Sequence, residues 1–317
     1  MNSFGLILGE PNSINSEILA KSNVYKKNCI IIGSYDLLHA QFKTLRLKIN
    51  LKRINHPDNF KKTRKCLNVL DVPLKFKNPF KVKPKETRYY LQNCFNKAHK
   101  YSINKDINGF INCPINKKNL FRNKSYGITE YLAKKNNCYR SEVMMIYNKK
   151  LAVVPVTTHI RVKDIAKNLN KKSLIKKLKT LNSEFSKYFK KKPTIAIVGL
   201  NPHNFEFKNN SEEKKILIPV IKSLKKRMRI SGPYSADTIF FKSNLNKFDV
   251  IVGMYHDQVL APFKSIFGLN ALNITLGLPY HRISPDHGTA EDKIKLNISK
   301  PISLNYCIDF MSKLKHK

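Results

Sequence analysis

The strongest constraint on this chain is an alternation. Short apolar runs at residues 4–8, 29–33, 109–113, 142–147, 151–156, 194–200, 249–253 and 271–276 are separated by segments with helical periodicity. Brief runs rich in Val, Ile and Leu are what strands buried on both faces look like, and strand alternating with helix favours parallel sheets covered on both sides. The clearest helix spans 171–191, where Leu174, Leu178, Leu181 and Phe185 recur at three- and four-residue steps opposite a lysine-rich face. That is the pattern of an amphipathic outer helix. A chain of 317 residues has room for two α/β lobes, each with its own core.

In folds of this class ligands gather at loops that leave the carboxyl ends of strands. Neither GxGxxG nor a P-loop occurs, so a nucleotide has to be held in some other way. No internal repeat is visible, and the lysine- and proline-rich stretch 55–87 reads as a solvated excursion.

Composition narrows the setting. No stretch approaches a membrane span, and residues 1–9 lack the basic start and cleavage site of a secretory signal, so a soluble, cytoplasmic protein is expected. Six cysteines without a CxxC pair read as reduced, structural thiols. Sixty basic against 21 acidic residues give a net charge of +39, which on its face suggests a polyanion partner. Lysine greatly outnumbers arginine, however, asparagine and isoleucine are abundant, and the excess is spread along the chain. AT-rich coding would produce that combination on any fold, so a solvated surface is the plainer reading, although an anionic substrate would benefit. Nucleic acid and membrane are not the expected partners.

Three apolar runs end alike. LAVVPVTTHI, AIVGLNPHNF and VIVGMYHDQV place His159, His203 and His256 at strand exits. Side chains at such exits converge along one edge of an α/β sheet, and imidazoles suit a divalent transition metal that keeps positions open for substrate. Taken one at a time, each reads as a loop histidine capping a turn; it is their joint placement that raises a shared site. Asp237 and Asp257 lie in the same loops, placed either to orient an imidazole or move a proton, or to cap a helix. Lys264, Asn273 and Arg282 offer a point charge, a neutral donor and a planar fork, a suitable mixture for a phosphomonoester. Singly, each reads as a surface residue. SPDHGTAEDKI reads as a loop entering a helix, with Asp286, His287, Gly288 and Thr289 offering a small polar approach to a nucleotide or an ordinary cap.

Together these segments resemble the 4-hydroxythreonine-4-phosphate dehydrogenase family of vitamin B6 biosynthesis. The likeness runs through LGEPNSINSEI, CPINKK, GITEYLA, TTHIRVKDI, GLNPHNFE, GPYSADTIF, GMYHDQVLAPFK and NITLGLPYHRISPDHGTAED, in order and over nearly the whole chain. The resemblance implies a two-lobed isocitrate/isopropylmalate-dehydrogenase-like α/β fold with an interlobe cleft. One lobe, residues 1–128 plus 270–317, is expected on the nucleotide side, and the other, 129–269, on the metal and dimer side. It further implies a homodimer with shared active sites, and metal ligands at His159, His203 and His256 for Zn, Mg, Mn or Co. Substrate contacts fall on Thr129, Lys264, Asn273 and Arg282, catalytic roles on Asp237, Asp257 and Lys264, and NAD or NADP near residues 278–291, including Asp286, His287, Gly288 and Thr289. The implied reaction is oxidation and decarboxylation of 4-phosphooxy-L-threonine to 3-amino-2-oxopropyl phosphate.

The chain departs from the family pattern in two places. GHTEYLA is usual where this chain has Ile128, and Ser13, Asn15 and Ser16 replace two glycines and a proline of GDPAGIGPE. Loss of one hydrogen bond to a charged group costs about 1.5–3 kcal/mol, roughly ten- to over a hundredfold. A dehydrogenase of another phosphorylated four-carbon hydroxy acid is therefore an alternative, as is a non-catalytic anion- or nucleic-acid-binding relative.

Overall fold

The computed structural model describes residues 3–63, 66–121, 127–268 and 270–317. Strands in chain order are β1 (Phe4–Ile7), β2 (Cys29–Gly33), β3 (Asn50–Ile54), β4 (Cys66–Asp71), β5 (Gly109–Asn112), β6 (Val143–Tyr147), β7 (Ala152–Thr157), β8 (Thr194–Val198), β9 (Arg229–Tyr234), β10 (Val250–Tyr255), β11 (Leu272–Leu276) and β12 (His281–Pro285). The chain forms two units, Met1–Lys124 with Pro279–Lys317, and Ser125–Leu278. All eight apolar runs are strands. The amphipathic pattern at 171–191 is the helix Lys171–Phe189, which Asn170 caps by accepting from Ser173 N at 2.9 Å.

In the first unit the strands run β3-β4-β2-β1-β5-β12, and every pairing is parallel. After β1 the chain winds to one side through β2, and β5 then returns to the other side of β1. The β1 and β5 loops therefore flank the point where the winding reverses, the usual ligand crevice of an open parallel sheet. The helix Pro84–Ile103 buries Tyr90, Leu91, Cys94, Phe95 and Ala98 and packs on β1, β2 and β5. Burying one such large apolar side chain contributes about 1.5–3 kcal/mol. The stretch 55–87 is not simply an excursion: it contains β4, whose Leu67, Asn68, Val69 and Leu70 are buried between β3 and β2.

The second unit has the order β11-β6-β7-β10-β8-β9. Here the expectation of a parallel sheet needs correction, since β6 is antiparallel to both β11 and β7. Only four residues, Asn148, Lys149, Lys150 and Leu151, turn the chain between β6 and β7, and a connection that short allows only a hairpin. The remaining pairs, β7 with β10, β10 with β8 and β8 with β9, are parallel. The carboxyl ends of β7, β10 and β8 thus lie side by side, neighbours about 4.8 Å apart. The helix His256–Phe267 packs back on β7 and β10 through Val259, Leu260 and Phe263. Among the described residues no helix is long and apolar enough to cross a membrane. All six cysteines are free thiols.

Candidate active site

The three histidines follow the three adjacent strand ends. His159 lies two residues past β7, His256 opens the helix after β10, and His203 sits in the loop after β8. The His159 and His256 rings approach to 6.1 Å between centroids. Each has its Nδ1 on a carboxylate: His159 donates to Glu130 Oε1 at 3.2 Å and His256 to Asp257 Oδ1 at 2.7 Å. Because a carboxylate only accepts, Nδ1 is the protonated nitrogen in each neutral ring, and Nε2 keeps its lone pair.

His203 is held differently. Residues His203–Phe207 all adopt left-handed backbone, with φ between 48° and 57°. A left-handed non-glycine residue costs roughly 1–2 kcal/mol, so the surrounding loop has to be anchored. Glu213, fully buried, accepts from Leu200 N at 2.8 Å and from Asn201 N at 2.9 Å. Burial pushes the Glu213 carboxyl up, but the bonds from Asn201 and Leu200 outweigh it and leave it lowered. Gly199 is needed here, because a Cβ would fall 2.0 Å from Asn204 Oδ1. His203 itself is exposed, and among the described residues no group of three or more His, Cys, Asp and Glu side chains is placed to hold a metal ion. Within one chain the structure pairs two of the three expected ligands.

Glu130, which sequence reasoning did not single out, is the most perturbed acid of this site. Burial raises its carboxyl, but against a protonated His159 the hydrogen bond and charge of that ring, with the hydroxyl of Thr158 at 2.5 Å, prevail and bring it down to about 2; against the neutral ring the hydrogen bonds remain and the charge does not. Gly127 borders the same pair: a Cβ there would lie 2.4 Å from His159 Cε1 and 2.6 Å from Glu130 Oε2. Both residues belong to the GITEYLA segment, and the only signal of their role was that motif.

The remaining expected residues divide between the units. In the second, Thr129 is buried and shares a hydroxyl hydrogen bond with Thr275 at 3.2 Å, while Ile128 is buried beside it in sequence. Asn273 Oδ1 is buried without a hydrogen-bond partner among the described residues, an unfavourable state that a ligand donor would relieve. Lys264 is exposed, two helical turns beyond His256. Asp237 does not cap a helix as an apolar pattern suggests; it is exposed on a turn after β9. In the first unit, Arg282 is buried on β12 and donates to Asn112 Oδ1 at 2.8 Å. The 286–289 segment does not enter a long helix: only a single tight turn, Glu291–Lys293, follows. It is tied to the loop after β1, because Ile14 N donates to Thr289 O at 3.2 Å. Burial lowers the His287 imidazole, with Gly288 O and Asp286 opposing.

Two further features of the first unit escaped sequence reasoning. An open cavity of about 600 Å³ is lined by Asn12, Phe80, Lys81, Lys83, Glu291 and Lys295, among others, beside the loop after β1. Glu10, on the same loop, is buried and accepts from Asn116 N at 3.0 Å and Asn119 Nδ2 at 3.3 Å. Burial pushes its carboxyl up, the two asparagines oppose, nearby Glu291 adds, and the result is about 7.

Comparison with known proteins shows the family. The family model described as pyridoxal phosphate biosynthetic protein PdxA matches residues 25–311. The chain belongs to the PdxA family. It is 36% identical to the 4-hydroxythreonine-4-phosphate dehydrogenase of Sulfurihydrogenibium sp. (strain YO3AOP1), with 99% of each chain covered. A relative of another name, the D-threonate 4-phosphate dehydrogenase of Pectobacterium atrosepticum, is 29% identical over 97% of both chains. The crystal structure of the 4-hydroxythreonine-4-phosphate dehydrogenase from Klebsiella pneumoniae matches with a TM-score of 0.84 at 26% identity, covering 98% of both chains. An isocitrate dehydrogenase from Methylococcus capsulatus, at TM-score 0.52 and 11% identity, shares the fold. The chain is thus a dehydrogenase of the PdxA family with an isocitrate-dehydrogenase-like α/β fold.

Proposed function

We propose that this PdxA-family enzyme oxidises the C3 hydroxyl of 4-phosphooxy-L-threonine and that the β-keto acid then loses CO₂, giving 3-amino-2-oxopropyl phosphate. The observation that carries the reading is the pair His159 and His256, at adjacent strand ends, each with Nδ1 on a carboxylate. That donor chemistry fits a divalent metal, because carboxylate-bound imidazoles present an oriented Nε2 lone pair. His159, His256 and His203 would hold Zn, Mg, Mn or Co. A site with two paired imidazoles in one chain also suits a homodimer whose active sites draw on both subunits. When bound, the metal supplies Lewis-acid stabilisation of negative charge on the reacting oxygen, and NAD or NADP supplies the acceptor for two electrons and a hydrogen.

The chain's own residues do the rest. Lys264, Asn273 and Arg282 bind the phosphate, so that a non-reacting group positions the reacting carbon. Thr129, set by its bond to Thr275, contributes a hydroxyl to the substrate. Asp257 orients His256, Asp237 is the group assigned to the hydroxyl proton, and Lys264, an ammonium on the phosphate, acts on the reaction through its positive charge. Asp286, His287, Gly288 and Thr289 form the nucleotide approach, supported by the cavity beside the loop after β1. A cytoplasmic location accords with this role.

Ile128 favours a second reading. A buried apolar side chain stands where the family pattern has a histidine donor, which suits another phosphorylated four-carbon hydroxy acid. The test is NAD(P)H formation at 340 nm by purified, metal-supplemented protein across 4-phosphooxy-L-threonine, D-threonate 4-phosphate and related phosphates. Highest kcat/KM on 4-phosphooxy-L-threonine supports the first reading; preference for another acid transfers the assignment; activity on none defeats both.

A further inference from the structure

Asp257 follows His256 directly in sequence, but the carboxylate on His159 comes from a distant element, and its surroundings are specific. The helix Ile128–Lys135 starts right after Gly127 and carries Glu130 on its first turn. Glu130 Oε1 takes two donors from the β7 exit, Thr158 Oγ1 at 2.5 Å and His159 Nδ1 at 3.2 Å. Two successive residues of one loop are thereby held by one oxygen. The Glu130 side chain is 12% exposed, so water competes poorly for that oxygen. Oε2 is buried with no hydrogen-bond partner among the described residues. A counter-charge is built in nearby: Lys177 donates to Glu142 O at 3.1 Å and interacts electrostatically with both Glu142 and Glu130. Finally, Gly127 leaves room for this pair that any side chain would occupy.

A buried carboxylate without a job is unfavourable to keep, and a stabilising clamp alone would be served by a neutral acceptor. We infer that Glu130 is a positioning residue: it fixes the ring of His159 through Nδ1, holds the tautomer with its lone pair on Nε2, and so prepares His159 as a metal ligand. This rests on the metal reading of His159 given above and adds the residue that makes that ligand competent.

The test uses the full-length protein, Co²⁺ as probe, and the variants Glu130→Gln, Glu130→Asp, His159→Ala and His256→Ala. Cobalt affinity is read by competition with a chromophoric chelator, and the His159 tautomer of the metal-free protein by long-range ¹H–¹⁵N correlation. Removing an outer carboxylate partner typically weakens metal binding about 10- to 100-fold. We expect that loss in Glu130→Gln, with the His159 Nδ1–H tautomer no longer dominant and the circular dichroism unchanged. Glu130→Asp, whose carboxylate is withdrawn by one methylene, carries the same test if Glu130→Gln does not fold. Wild-type cobalt affinity and tautomer in a folded Glu130 variant, while His159→Ala and His256→Ala lose cobalt, overturns the positioning role alone. Undiminished cobalt binding in both histidine variants overturns the metal reading beneath it.

Discussion

Gly127→Ala is the smallest change that should disable this site. Gly127 has φ −85° and ψ 171°, extended backbone that alanine adopts without strain, so any effect must come from the added methyl. That methyl would sit 2.4 Å from His159 Cε1, 2.6 Å from Glu130 Oε2 and 2.8 Å from His159 Nδ1. Carbon atoms in contact lie about 3.5–4.0 Å apart, so the imidazole has to retreat by roughly 1 Å. The His159 side chain is 27% exposed, which gives the ring somewhere to go. The stability cost should therefore sit near the low end of the roughly 1–3 kcal/mol typical of overpacking. Misplacement of a reacting or positioning group by 1 Å costs on the order of a hundredfold in rate. The expected outcome is a protein that melts within a few degrees of wild type yet loses about two orders of magnitude in kcat/KM. The assay is steady-state NAD(P)H formation alongside thermal denaturation. Wild-type kcat/KM in Gly127→Ala would refute the placement of His159 and Glu130 in the working site.

Other expectations follow from the same geometry. Glu10 is held at about 7 when folded against an ordinary value of 4.5; the folded state therefore binds the extra proton, and stability should fall as pH rises from about 4.5 to 7 and level off above. At about 1.36 kcal/mol per pKa unit the ceiling is roughly 3 kcal/mol, so Glu10→Gln should be stabilised relative to wild type at pH 8 and nearly equal to it at pH 4.5; a difference independent of pH in urea unfolding would contradict this. Ile128→His should raise kcat/KM on 4-phosphooxy-L-threonine about ten- to a hundredfold, in line with a hydrogen bond to a charged group, and an unchanged preference across the substrate panel would remove Ile128 as the cause of altered specificity. Leu178→Ala, on the buried face of the helix Lys171–Phe189, should cost about 2–5 kcal/mol; a loss below 1 kcal/mol in denaturant titration would mean that this face is not core.

Much of the framework was legible because burial writes itself into composition. β2, CIIIG, and β7, AVVPVT, are buried along their whole length, and continuous apolar runs reveal such strands. β3, NLKRI, is an edge strand with mostly exposed side chains, and β12 begins with His281 and Arg282, both buried through polar bonds instead of apolar packing. Neither has a pattern that distinguishes it from a loop. β4 was concealed by the lysines and prolines around it. The antiparallel direction of β6 was equally hidden, since a strand buried on both faces looks the same in either orientation.

The site divides along similar lines. Strand exits put His159 and His256 on one sheet edge, with their ring centroids 6.1 Å apart, while His203 is in an exposed loop. Glu130 was invisible because glutamate early in a helix is ordinary on dipole grounds alone, and only the fold brings it back to β7. Asp237 misled for the converse reason: Ser235 and an apolar stretch mimic a capped helix, but the chain turns there instead, burying Ile239 and Phe240 against the second unit's core. The conformation of 203–207 had no sequence signal, since no glycine stands there to mark left-handed backbone.

The central claim is that this dehydrogenase acts through a divalent metal at the paired histidines. Its most direct test is a chelation and reconstitution series: the NAD(P)H-forming rate of protein treated with EDTA, then of the same sample given Zn²⁺, Mn²⁺, Co²⁺ or Mg²⁺, with His256→Ala in parallel. The account predicts a rate near zero after chelation, recovery in wild type with at least one metal, and no recovery in the variant. Full activity in exhaustively chelated protein, or equal recovery by His256→Ala, would contradict it.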